Sequence, residues 1–142
     1  MLNPRNIKYR KVHSPFVKKG DEERKQVYPI FGVYALKAIH SGLLTPKQLE
    51  AGRKTIKKLI KKSGIIWTMV FPDRSITGKP AEVRMGKGKG AHDHWVAVVR
   101  QGAILFEVRV FRKKLGVARI KNVLEKAANK LPLKTNVIIY KT

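Results

Sequence analysis

Apolar residues alternate with polar ones in several short stretches and recur at helical spacing in two longer ones, which predicts a mixed α+β chain. Residues 28–39 are aromatic and β-branched and predict a strand with Pro29 near its start, broken by His40-Ser41-Gly42. Thr45-Pro46-Lys47-Gln48 predicts a helix start, with Thr45 as N-cap, Pro46 at the first helical position and Gln48 closing a capping box. That helix is expected to run to Ser63, with Gly64 as its C-terminal cap. Its apolar stripe is Leu49, Ile56, Leu59 and Ile60. Residues 65–71 predict a strand with Ile65, Trp67, Met69 and Phe71 on one face, followed by a turn-rich loop from Pro72 to Pro80. Residues 94–100 and 103–110 predict two more strands, joined as a hairpin at Gln101-Gly102. A second helix is expected over 117–130, with Val117, Ile120, Leu124, Ala127, Ala128 and Leu131 as its stripe. Pro132 stops it, and residues 136–140 predict a final strand. The expected fold is α+β, with both helices on one side of mostly antiparallel sheet.

Charge changes this picture most. The 142 residues carry 32 Lys and Arg against 9 Asp and Glu, a formal net charge of +23. A surface this positive repels itself unless a polyanion neutralises it. Nucleic acid, an anionic membrane surface and an acidic protein are the partners to weigh. The charge is also patterned. Residues 1–19 hold Arg5, Lys8, Arg10, Lys11, Lys18 and Lys19 and no acid, which predicts an arm that orders on a polyanion. Residues 20–142 are expected to form the single α+β domain, with an extended loop at 80–93. On the first helix, Arg53, Lys54, Lys57, Lys58, Lys61 and Lys62 fill the arc opposite the apolar stripe. An ordinary solvated face mixes signs; this one predicts a phosphate-facing surface.

Other classes drop out. The 43% hydrophobic content is too high for a wholly disordered basic tail. With no cysteine there are no disulfides, thiol nucleophiles or thiolate metal sites. No apolar run approaches the roughly 18 residues of a membrane span. Met1-Leu2-Asn3-Pro4-Arg5 has neither a signal peptide's apolar stretch nor the amphipathic pattern of an import presequence. The lysine arc offers no large apolar side chains for a membrane surface.

The segment richest in chemistry is Arg84-Met85-Gly86-Lys87-Gly88-Lys89-Gly90. Alternating glycines free the backbone and remove bulk, and the interleaved lysines supply point charges, so the segment predicts a cationic finger that follows a phosphate backbone. Gly86-x-Gly88-x-x-Ala91 fits a dinucleotide fingerprint only nominally, because the residues after it read as a strand and not a helix. A P-loop fails as well, since neither Gly-Lys pair is followed by Ser or Thr. His92-x-His94 places two imidazoles on one strand face, but no third ligand stands near, so no metal or cofactor is expected. No acid–base pair or nucleophile–base spacing marks a catalytic site. Trp67 and Trp95 lie in apolar strands and are expected in the core; base stacking would need exposure that alternation does not predict.

These pieces together resemble a known family. Met1-Leu2-Asn3-Pro4-Arg5, Tyr9-Arg10-Lys11-Val12-His13, Gln48-Leu49-Glu50-Ala51-Gly52-Arg53, Ile66-Trp67-Thr68-Met69-Val70-Phe71-Pro72-Asp73, Ile76-Thr77-Gly78-Lys79-Pro80, Val83 to Gly90, Trp95-Val96-Ala97 and Lys130-Leu131-Pro132-Leu133-Lys134-Thr135 follow one another as in the large-subunit ribosomal proteins numbered sixteen of bacteria and organelles. An archaeal and eukaryotic large-subunit protein shares that family. The resemblance implies a hammerhead-type α+β fold and a non-catalytic protein on large-subunit rRNA, beside other large-subunit proteins, which supports late subunit assembly. It implies that Arg84, Met85, Gly86, Lys87, Gly88, Lys89 and Gly90 lie near tRNA in the A and P sites, and that Arg5, Lys8, Arg10, Lys11 and His13 bind rRNA. No cofactor, membrane or small-molecule substrate is implied. Another RNA-binding protein or an RNA-modifying factor is the alternative function.

The chain departs from the family after His13, where relatives have an Arg- and Gly-rich run and this chain has Ser14-Pro15-Phe16-Val17. Arg109, Arg112, Lys113 and Lys114 stand where relatives are less basic and predict an extra patch. This drift, with Ile76 to Val83 as in many organelle-encoded members, favours a mitochondrial ribosome made inside the organelle; a plastid or bacterial cytoplasm is the alternative.

Overall fold

The computed structural model describes residues 2–13, 22–23, 27–111 and 116–140. Chain order is β1 (Tyr34–Ala38), β2 (Gly42–Leu44), α1 (Pro46–Ile60), β3 (Gly64–Thr68), β4 (Arg74–Gly78), β5 (Ala91–Val99), β6 (Ile104–Val110), α2 (Val117–Ala128) and β7 (Thr135–Ile139). They form a four-stranded sheet in the order β3-β6-β1-β7 and a three-stranded sheet in the order β2-β5-β4. Each of these strand pairs is antiparallel. The helices pack on each other, α1 also against β3 and α2 against β1 and β7, so both cover one face of the larger sheet, and the fold is α+β as expected.

One core joins the layers. Leu36, Phe106 and Val108 come from the large sheet, Leu49, Ile56 and Ile60 from α1, Ile120, Val123, Leu124 and Ala127 from α2, and Leu44, Ala97 and Val99 from the small sheet. At roughly 1.5–3 kcal/mol per large apolar side chain, this cluster supplies the main folding drive of the chain.

Several expectations need correction. The strand expected at 28–39 is confined to Tyr34–Ala38. Its predicted first half crosses the outer face of the large sheet instead, where the N–H groups of Ile30, Phe31 and Gly32 donate to the Glu107 carboxylate. The expected loop Pro72–Pro80 contains β4, and β2 was not foreseen; both pair with β5. The expected hairpin between residues 94–100 and 103–110 does not form. Gly102 turns the chain at a φ of 87°, but β5 and β6 enter different sheets, because β1 and β3 occupy both edges of β6. Gly64 opens β3 and is not a helix cap; α1 ends at Ile60, with Lys61 as its C-cap at a φ of 55°. The first turn of α2 is exposed, so Val117 lies outside the core and Val123 stands in the stripe. Trp67 and Trp95 are both half-buried. The core side of β3 is the Ile66 side, whereas Trp67 stacks on Phe31 at 5.7 Å on the opposite face.

Candidate nucleic-acid interface

The finger is the chain between β4 and β5, and residues 79–89 are exposed throughout. Its tip is set by backbone conformation: Gly86, Lys87 and Gly88 have φ values of 96°, 54° and 95° in succession. Such angles are strained for a side-chain-bearing residue and free for glycine. A Cβ on Gly86 or Gly88 would meet open space, so conformation and not crowding calls for glycine there. Crowding decides at the root, where a Cβ on Gly90 would lie 2.4 Å from the Gly78 carbonyl oxygen. Lys79 closes the loop from the other stem by donating from Nζ to the Gly86 carbonyl. Met85 projects fully into solvent, and Arg84 and Lys87 are exposed beside it.

The arm meets the finger. Lys11 Nζ donates to the Lys89 carbonyl at 3.1 Å, and Lys89 Nζ donates to the Val12 carbonyl. Two segments 77 or more positions apart in sequence therefore form one cationic ridge. Leu2 packs on the core and anchors the arm's start, and Arg5, Lys8, Arg10 and His13 are exposed along it. Lys8 Nζ lies 5.5 Å from the centre of the Tyr9 ring.

The α1 face is a separate patch. Thr45 accepts from the Gln48 amide and Gln48 Oε1 accepts from the Thr45 amide, the reciprocal capping box the sequence predicts. The helix presents Lys54, Lys57 and Lys58 to solvent, and Lys61 and Lys62 follow at its end. Arg53 differs: its guanidinium grips the Glu50 carboxylate at 2.7 and 2.9 Å. That hydrogen bond, helped by the positive charge of Arg53 and Lys54, lowers the Glu50 pKa. The same hydrogen bond, helped by the negative charge of Glu50, raises that of Arg53. Among the described residues, no hydrogen bond or ion pair links the α1 lysines to arm or finger. Arg109 is exposed opposite Ile65 on the outer face of the large sheet. Arg112, Lys113 and Lys114 lie outside the described residues.

The two histidines have separate partners. His92 Nδ1 is 2.7 Å from the Ser75 hydroxyl, and His94 Nδ1 is 2.8 Å from Asp93 Oδ2. Sequence reasoning missed Lys79 and the arm–finger contact. The only signal for Lys79 was one more lysine in an already basic loop.

Residues 4–138 match the family Ribosomal protein L16p/L10e. The chain is 44% identical over 140 residues to the large ribosomal subunit protein uL16 of Blochmanniella pennsylvanica (strain BPEN), covering 97% of this chain and 98% of that protein. It is 42% identical to uL16c of Rhodomonas salina, covering 97% of this chain and 96% of that protein. It is 40% identical to uL16c of Porphyra purpurea, covering 100% of this chain and 98% of that protein. With the family matched across the arm, both helices and the finger, the chain belongs to the ribosomal protein L16p/L10e family, whose members are structural and not catalytic.

Proposed function

We propose that this protein is a structural constituent of the large ribosomal subunit that binds its rRNA through several separate cationic surfaces. The observation that carries this is the near end-to-end similarity to proteins named for the large subunit. Physical chemistry supports the RNA part. The arm–finger ridge and the α1 lysines place positive charge on different parts of the surface, which suits a protein embedded in folded RNA. Each cation that meets a phosphate releases counterions, so such a surface gains affinity with every phosphate it neutralises.

The arm residues Arg5, Lys8, Arg10, Lys11 and His13 and the α1 residues Lys54, Lys57, Lys58, Lys61 and Lys62 are the rRNA-binding set, with Arg53 tied to Glu50 as the weaker member. Residues Arg84 to Gly90 reach toward tRNA in the A and P sites, because a thin glycine-spaced loop enters a crowded RNA cavity where a helix does not. Arg109, with residues 112–114, adds a further binding patch. The compartment is a mitochondrion, with bacterial cytoplasm or a plastid as the alternatives.

Sucrose-gradient sedimentation in high salt tests the assignment. The tagged protein stays with the large subunit. Release to the top of the gradient, or migration with the small subunit, rejects it.

A further inference from the structure

Beside the root of the finger lies an open cavity of about 490 Å³, lined by Asn3, Lys47, His92, Asp93, His94 and Trp95 together with the first turn of α1. Its floor is produced by an irregularity in β5. Ile76 pairs with His94 and the next residue, Thr77, pairs with His92, so Asp93 is an extra residue in β5. In a regular strand, residues three apart face opposite sides. The bulge resets that alternation, and His92 turns onto Trp95 with ring centres 4.6 Å apart. His92 is then fixed by the hydroxyl of Ser75, itself only 2% exposed. The imidazole leans on the half-buried indole at an interplanar angle of 42° and braces it at the junction of arm, finger and α1.

We propose that this cavity receives one unpaired nucleobase, stacked on the Trp95 indole that His92 braces. The proposal rests on the RNA-binding reading above and specifies one of its contacts. Aromatic platforms stack splayed-out bases of single-stranded RNA, and duplex RNA does not present them. The polar lining suits a base edge. Asn3 both donates and accepts, and the Asp93 carboxylate accepts N–H groups while repelling phosphate. Lys47 supplies the cation for the nucleotide's phosphate at the rim. The volume lies within the roughly 300–1,000 Å³ of sites for ligands of this size.

The test uses the full chain and tryptophan fluorescence. Trp67→Phe leaves Trp95 as the sole tryptophan of the two in the sequence. The probes are a single-stranded RNA of about ten nucleotides, a fully paired duplex of the same length, and adenosine monophosphate. Both RNAs are expected to bind in a salt-dependent way, while only the single strand quenches Trp95. Trp95→Leu weakens single-strand binding about tenfold and leaves duplex binding unchanged; Trp95→Phe, which preserves a ring, retains most of the affinity. Equal quenching by the duplex, or bound single strand without quenching, overturns the proposal and leaves RNA binding standing. Quenching by adenosine monophosphate as strong as by RNA overturns the RNA source in favour of a free nucleotide. Failure of both RNAs to bind at low salt overturns this proposal and the RNA-binding reading together.

Discussion

Glu107 is fully buried at the centre of the large sheet, and its carboxylate accepts from three successive backbone amides, Ile30, Phe31 and Gly32. Those amides belong to no strand, so the carboxylate is what holds the segment across the outer face and sets Phe31 on Trp67. Buried N–H groups without an acceptor are costly. Replacing Glu107 by Ala is expected to lower stability by about 3 kcal/mol, read as a fall in the urea midpoint. Gln, which keeps one acceptor oxygen, costs about 1 kcal/mol. An unchanged midpoint for the Ala variant would mean that the segment is held by its apolar contacts alone. The role of Glu107 was not legible in the sequence. The lone acid in an apolar strand is visible, but its partners lie at least 75 positions earlier, and alternation says nothing about which distant amides need an acceptor. Local chemistry read better: the Thr45–Gln48 box formed as predicted, because a capping box is complete within four residues.

At the scale of elements, α1 is an apolar stripe under a like-charged face. Lys54 and Lys58, like Lys57 and Lys61, are four residues apart, where like charges cost a few tenths of a kcal/mol per pair. Changing Lys54, Lys58 and Lys61 to Ala is therefore expected to leave the melting temperature unchanged or slightly raised. RNA affinity should fall, with the slope of log K against log salt flattening by about 0.7–0.9 for each phosphate no longer neutralised. An unchanged slope would assign that face to solvent. The Glu50–Arg53 pair on the same helix gives a pH signature. Because the Glu50 pKa is lowered by its hydrogen bond to Arg53, its stabilisation is present above the ordinary carboxylate pKa and is lost as pH falls through the lowered value. Both side chains are about one-third exposed, so the effect is small, about 0.3–0.5 kcal/mol. It is to be read as the difference between wild type and Glu50→Gln across an acid titration, with the two converging at low pH. Helical periodicity placed both helices within a few residues of where they form. The strands were harder. Pro72 and Pro80 flank a short β4 that ends in Gly78 and made it look like loop, and a tight turn at Gln101-Gly102 said nothing about the two strands diverging into separate sheets.

For the whole molecule, the net charge is +23. Among the described residues the cationic arm and finger touch. That junction gives the two finger lysines different duties. Lys89 Nζ is engaged by the Val12 carbonyl, while Lys87 at the tip is exposed with its backbone at positive φ. Nothing in the residue pattern separates them, since both sit between glycines, and only the return of the arm across 77 positions does so. Lys87→Ala is expected to flatten the salt dependence of RNA binding by about the amount due to one phosphate and leave the arm's protection unchanged. Lys89→Ala is expected to speed hydrogen exchange across residues 2–13 in the free protein, because the arm then lacks that partner on the finger. Free in solution, self-repulsion pushes these two basic segments apart, and added salt screens it within about 10 Å at 0.1 M. Wild-type exchange in the arm should therefore slow as salt rises, and the Lys89→Ala variant should respond less. If the two lysine variants gave the same exchange and the same salt slope, arm and finger would act independently.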